Sequence, residues 1–307
     1  MFSQFFPARS HHSLGLLLSG LPLLLGCQIA PQPNRSPLPT LAATEPAAIA
    51  TPAPALRYEV IEQPQAKIHL LLIPNHPDFT VVPVVAPTLA PLAELVTEHQ
   101  AIAAINGGFF DPQNGQTTST VIRDRLLVAD PRQNPRLTQN PDLTRFLPQI
   151  FNRSEWRRYR CAEGERQAIA ARTAAAPNGC RLQHALGAGP RLLPELAAAA
   201  EGFVATAGGQ VVRDALGRDR PNARSAIGLT ADGTLILAMA SQEPAGVSLP
   251  ELAAILEAQG AIAALNLDGG SSSSLYHQGK FYTGQRDADG NAVLRPLKSA
   301  LIVRRSP

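Results

Sequence analysis

The residues best suited to chemistry concentrate in one run near the C-terminal end, Ala263-Ala264-Leu265-Asn266-Leu267-Asp268-Gly269-Gly270-Ser271-Ser272-Ser273-Ser274. An apolar strand leads straight into a carboxylate, two glycines and four hydroxyls. At a strand end, Asp268 would stand beside glycine backbone and serine side chains that offer several N–H and O–H donors to an anion or a sugar. A solvated Gly/Ser turn is the competing reading. Against it, Asn266 and Asp268 share one face of a strand otherwise fit for burial, and buried polar groups need partners. The run reads as a site.

An earlier run resembles it. Ala101-Ile102-Ala103-Ala104-Ile105-Asn106 delivers Gly107-Gly108-Phe109-Phe110-Asp111, as Ala261-Ile262-Ala263-Ala264-Leu265-Asn266 delivers Leu267, Asp268 and the second glycine pair. A helical stripe precedes each strand: Leu92, Leu95 and Val96 before the first, and Leu252, Ile255 and Leu256, behind a Ser248/Glu251 capping box, before the second. Chance similarity between Ala-rich segments and a pseudo-symmetric core both remain open. If the repeat is real, the two strands lie together in one mixed sheet and Asn106 and Asn266 meet at one cleft.

Other elements frame these units. Tyr58–Ile61 and Lys67–Ile73 read as a strand pair, Phe79–Val85 as a further strand, and Ser225–Thr230 with Leu235–Met239 as a hairpin across Asp232-Gly233, with Arg224 just before its first strand. Residues 129–183 read as a polar, Pro-rich, irregular insertion over one sheet edge, roofing a cleft. The basic stretch Arg153–Arg166 inside it, which also holds Glu155, Glu163 and Glu165, reads as a solvated helix face first and an anion-binding flank second. Together these features predict an α+β fold: a single domain over residues 57–307, with a mixed β-sheet flanked by helices and pseudo-symmetric helix–strand units.

Ahead of that domain, residues 1–26 hold Arg9, an apolar stretch from Leu14 to Leu25 too short to span a bilayer, and then Leu24-Leu25-Gly26-Cys27. This resembles a bacterial lipoprotein signal, which implies an acylated Cys27 and an exported, membrane-anchored protein on the periplasmic side of the cell envelope. Residues 27–56 are rich in Pro and Ala and predict an extended tether. Cys161 and Cys180 remain as an even pair in an oxidising compartment and predict one disulfide. The formal net charge of +3, +2 once Arg9 is removed with the signal, is nearly neutral and gives no sign of a nucleic-acid footprint.

Asn106-Gly107-Gly108-Phe109-Phe110, Gly187-Ala188-Gly189-Pro190-Arg191, Ala223-Arg224-Ser225-Ala226-Ile227-Gly228 and Leu265-Asn266-Leu267-Asp268-Gly269-Gly270-Ser271-Ser272 occur in the order seen in the phosphodiester glycosidase family. The chain resembles that family from about Val60 to Val303. Arg224-Ser225 stands where the family commonly has Arg-Thr, which keeps a hydroxyl. The resemblance implies a hydrolase that cleaves a sugar from a sugar-1-phosphodiester, with glycosidic C–O cleavage and a phosphomonoester leaving group; with the N-terminal signal it would be exported. Such a leaving group lessens the need for a strong general acid.

On this basis Asp268 is the first choice of nucleophile or base, with Asp111 as second carboxylate; a turn-former before Pro112 is the other reading of Asp111. Substrate-binding roles fall to Asn106, Gly107, Gly108, Arg224, Asn266, Gly269, Gly270, Ser271 and Ser272: Arg224 as a bidentate cation, the glycine backbone and serines as donors, and the asparagines orienting hydroxyls or phosphate. His277 could act as acid, and Phe109 and Phe110 are assigned to packing before sugar stacking. No cofactor is expected; hard oxygens of Asp268, Asp111 and the asparagines would suit a divalent cation, though no motif demands one. A non-catalytic glycan- or peptidoglycan-binding lipoprotein and a phosphodiesterase cutting P–O are the alternatives.

Overall fold

The computed structural model describes residues 55–306; the segments read as a signal and a tether, with Cys27, lie outside them up to residue 54. In chain order the strands are β1 (Arg57–Gln63), β2 (Ala66–Ile73), β3 (Phe79–Ala90), β4 (Ala103–Asn106), β5 (Val121–Arg123), β6 (Leu126–Ala129), β7 (Ser154–Cys161), β8 (Gly164–Ala171), β9 (Arg181–Gly187), β10 (Arg191–Leu193), β11 (Val204–Ala207), β12 (Gln210–Asp214), β13 (Arg224–Thr230), β14 (Leu235–Ala240), β15 (Ala261–Asn266), β16 (Ser274–His277), β17 (Lys280–Thr283) and β18 (Leu297–Arg305). The α-helices are α1 (Leu92–Glu98), α2 (Pro135–Thr138), α3 (Leu147–Phe151) and α4 (Leu249–Ala258).

These strands form four sheets. Sheet I runs β1-β2-β14-β13-β15-β10, sheet II β17-β16-β4-β18-β3 and sheet III β6-β5-β9-β7-β8, while β11 and β12 make a separate ribbon. Every named strand pair is antiparallel. One core joins the three large sheets: Leu71, Ile227, Leu237 and Leu265 from sheet I, Ile105, Leu275 and Leu301 from sheet II, and Val121, Trp156 and Leu186 from sheet III. At roughly 1.5–3 kcal/mol for each fully buried aliphatic side chain, this cluster is what holds the sheets against one another. On the far side of sheet I, Leu249, Leu252, Ile255 and Leu256 of α4 pack on Ile236, Ala238 and Ala264; Leu92, Leu95 and Val96 of α1 pack likewise on sheet II. The Ser248/Glu251 capping box opens α4 as expected.

The expected α+β class is overturned: among the described residues strands account for 46% and helices for 14%, in four sheets rather than one helix-flanked sheet. The misleading signal is physical. Strands such as Leu70–Ile73 and Leu235–Ala240 are apolar without alternation, a pattern usual for parallel sheets covered on both faces. Here an antiparallel sheet is covered twice, by the shared core and by α4.

Nor do the two Ala-rich strands share a sheet. β4 lies between β16 and β18 of sheet II, and β15 between β13 and β10 of sheet I.

The segment 129–183 is irregular only in its first half. From Ser154 it forms the β7–β8 hairpin, and Trp156 and Tyr159 are fully buried. The basic stretch is therefore a strand rather than a solvated helix face, and Arg157 is buried with its Nε 2.7 Å from Glu155.

Cys161 and Cys180 are joined across a separation of 19 residues, tying the end of β7 to the approach to β9. A loop of this length predicts a contribution of roughly 3 kcal/mol. The Cys161→Ser/Cys180→Ser double variant should lose about that much in urea unfolding; a loss below about 0.5 kcal/mol would show that the β7–β9 pairing holds this end unaided.

Candidate active site

The loop Leu267–Ser273 leaves β15 and is clamped from both sheets. From sheet I, the Leu267 amide donates to the Ser225 carbonyl at 2.8 Å and the Gly270 amide to Ala223 at 2.8 Å. From sheet II, Asn106 Nδ2 donates to the Asp268 carbonyl at 2.7 Å and its Oδ1 accepts from the Ser274 amide at 3.1 Å. The Asp268 amide donates to Gly107 O at 3.1 Å. Asn266 acts similarly, with Nδ2 donating to the Gly189 and Leu267 carbonyls, each at 2.8 Å.

Both asparagines thus reach the same loop from different sheets. Each terminates a strand and secures irregular backbone that could not otherwise be buried. Asn106 is fully buried with both polar atoms engaged, a positioning residue; Asn266 Oδ1 is buried without a partner.

Close backbone approach explains the first glycine pair. A Cβ on Gly107 would run into Ser299, and one on Gly108 into the Gly187 carbonyl. In the second pair, Gly270 has φ +60°, which favours glycine. The expected amide donors are spent internally: Gly269 N–H serves Asp268 Oδ1 at 3.0 Å and Gly270 N–H serves Ala223.

β13 and β15 pair with Ala226 opposite Asn266, a register that continues to place Arg224 across from Asp268. Both line a cleft of about 440 Å³ together with Asp214, Arg220, Asn222 and Asn266, a volume within the range of small-ligand sites. Arg224 is buried, and its guanidinium is held by backbone: Nε on Val247 O at 3.2 Å, Nη1 on Leu216 O at 3.1 Å, and Nη2 on Gly217 and Arg220 O at 2.9 Å each. Only one of its five N–H groups is left, so it cannot offer the expected bidentate fork. It remains a fixed cation, its pKa brought down by burial to about 10.

Asp268 is half-buried. Burial pushes its carboxyl up to about 6, against the Ser272 hydroxyl, the Gly269 amide and the charge of Arg295, which favour the ionised form. Arg295 also donates from Nη1 to Ser271 Oγ at 2.9 Å and lies 5.5 Å from the centre of the Phe110 ring. The site therefore pairs an acid that titrates near neutrality with two cations.

Asp111 is not among the residues that line the Asp268 cleft. Its carboxylate meets Arg136 Nε at 2.7 Å and the Gln113 amide at 2.9 Å. Burial pulls it up, but these partners hold it below the usual range. Its carboxylate is engaged within the turn that runs from Asp111 to Gln116 and by Arg136. His277 packs on Tyr58, with ring centres 5.6 Å apart, and Phe109 on Phe203, also at 5.6 Å.

Sequence reading left out Asp214, Arg220, Asn222 and Arg295. Asp214 ends β12 of the small ribbon, and Arg295 sits in an irregular stretch before β18; only three-dimensional closure brings them to the loop.

A family model for phosphodiester glycosidases matches residues 99–304, a span that includes Asn106, Arg224, Asp268 and Arg295. No curated protein matches the chain. Among solved structures, a protein from Synechocystis described as hypothetical is similar at 19% identity and TM-score 0.53, over 83% of this chain and 64% of that one, so the chain spans just under two thirds of it. The catalytic domain of zebrafish N-acetylglucosamine-1-phosphodiester alpha-N-acetylglucosaminidase, auto-inhibited by its pro-peptide, is similar at 17% identity and TM-score 0.59, over 82% of this chain and 83% of that one. At such identities the likeness shows the fold.

The raised pKa of Asp268 carries a stability consequence with a definite sign. Relative to the ordinary value of 3.8, the folded state holds a proton that the unfolded chain has already released, so this group's contribution falls as pH rises from about 4 through 6, by up to about 3 kcal/mol. Asp268→Asn should therefore raise unfolding free energy at pH 8 by up to that amount and change it little at pH 4. An Asn variant less stable than the parent at pH 8 in urea titrations would contradict a strained carboxylate.

Proposed function

The chain belongs to the phosphodiester glycosidase family, and from that premise we propose that the Asp268 cleft takes a sugar-1-phosphodiester, with water adding to the anomeric carbon and the sugar–oxygen bond breaking. The products are the free sugar and a phosphomonoester. That the protein is a glycosidase follows from the family; the substrate class at this cleft, the residue roles and export are the proposal. The observation that carries it is Asp268 itself: a carboxylate on a clamped loop, lining a cleft with Arg224 and within the field of Arg295.

Above pH 6 Asp268 is mainly ionised, the form required of a nucleophile or of a base toward water. Arg295 has donors beyond its bond to Ser271 and is the cation best placed to compensate the phosphate, while Arg224 adds charge and one N–H. The second carboxylate of the cleft is Asp214, whose two oxygens accept the Arg218 amide at 3.0 Å each. It replaces Asp111 as the candidate partner of Asp268.

Export through the residue 1–26 signal and lipid attachment at Cys27 belong to the same proposal. The Cys161–Cys180 disulfide supports it, since such bonds persist in oxidising compartments. Among the described residues no helix is long and apolar enough to cross a membrane; the anchor proposed is the lipid on Cys27.

Hydrolysis of a panel of sugar-1-phosphodiesters in ¹⁸O-water should place the label in the sugar. Asp268→Asn should lower kcat by about 10³-fold or more, whereas Arg295→Gln should lower kcat/KM about 10²-fold on the phosphodiester and far less on a neutral aryl glycoside of the same sugar. Label in the phosphate would identify a phosphodiesterase, and glycan binding without turnover a binding module.

A further inference from the structure

A second hollow, of about 720 Å³, adjoins the Asp268 cleft and shares Asp214 and Ala215 with it. It lies between the segment Pro141–Phe146 and the end of β12. Its central feature is the buried ring of Phe146, which carries two guanidinium groups: Arg145 at 4.7 Å and Arg213 at 4.8 Å from the ring centre. Arg213 is also fixed by its Nε, which donates to Gly202 O at 2.8 Å.

Two like charges on one ring repel each other. Burial, then the neighbouring Arg145, lowers the pKa of Arg213. Among the described residues neither guanidinium forms an ion pair with a carboxylate. Of the two carboxylates lining the hollow, Asp214 is engaged by the Arg218 amide, and Asp142 belongs to an exposed turn. Arg213, fixed at Gly202, and the exposed Arg145, stacked on the same ring, therefore both line an open hollow, an arrangement suited to phosphate.

We propose that this hollow is an aglycone subsite for a second phosphate group. The preferred substrate would then be a glycosyl phosphodiester whose aglycone carries a further phosphate a few atoms from the scissile one. This rests on the reading of the Asp268 cleft as the glycosidic site, and the continuity of the two hollows at Asp214 supplies the path between them.

The test compares two esters of one sugar-1-phosphate, a propyl ester and a 3-phosphopropyl ester. Wild type should favour the second by about tenfold in kcat/KM, through KM, and 0.5 M NaCl should flatten the difference. The Arg145→Gln/Arg213→Gln double variant should turn over both esters equally. Equal turnover by wild type, or a preference surviving in the double variant, would overturn the proposal. Because Arg213 supports Phe146 packing, Arg145→Glu serves as a second variant; Arg145 is exposed, and its charge reversal should invert the preference. If neither ester is hydrolysed, calorimetric binding of propane-1,3-diyl bisphosphate to wild type and Arg145→Glu separates the two readings. About tenfold weaker binding in the variant keeps the anion subsite while the glycosidase reading falls; equal or absent binding overturns the subsite as well.

Discussion

The hydrogen bond from Asn106 Nδ2 to the Asp268 carbonyl, 2.7 Å long, is the contact on which the rest of the site depends. It is made at the end of a strand in sheet II and received on a loop leaving sheet I. Asn106 Oδ1 takes the Ser274 amide in return, so one side chain satisfies the carbonyl and the amide at the two ends of the loop. Aspartate could not donate, serine could not reach both groups, and leucine would leave two buried backbone groups unpaired at about 1–3 kcal/mol each. The glycines follow from the same constraint, because backbone held this closely has no room for a Cβ at 107 or 108.

A half-buried acid and a buried cation are both costly to hold, and in this protein the large sheets supply the offset. Arg224 is held by four carbonyl contacts rather than by a carboxylate, which leaves Asp268 free of a direct ion pair and lets burial dominate its protonation. Had Arg224 paired with Asp268, the carboxyl would have been driven below its ordinary range and would have lost basicity. Local stability is thus given up where the chemistry needs a carboxylate near neutral pH, a pattern expected of functional sites.

Much of the site was legible in the sequence because its members are contiguous: Asn106 with the first glycine pair, and Asn266 with Asp268 and the second. Helix α4 with its capping box, the Asp232-Gly233 hairpin and the pairing of Cys161 with Cys180 were legible for the same reason, each being a local or counting signal. What could not be read was which sheet each strand joins. Two near-identical Ala-rich strands invited placement side by side, yet partner choice depends on long-range register. Strands buried on both faces also carry no alternation to reveal an antiparallel ladder. Arg295, Asp214 and Phe146 lie in stretches without periodicity, and only closure of the fold makes them neighbours of the loop.

The central claim, that a side chain of one sheet holds the carboxylate of the other in its working state, is tested most directly by carboxyl ¹³C NMR titration of Asp268 in the wild-type protein and in Asn106→Ala, with activity measured alongside. Wild-type Asp268 should titrate near the value of about 6 set by its burial. In a variant that still unfolds cooperatively, the freed loop should let it fall toward 3.8, with hydrolysis reduced by about 10²-fold through misplacement alone. An Asn106→Ala protein whose Asp268 still titrates near 6 and whose turnover stays within about twofold of wild type would contradict the account.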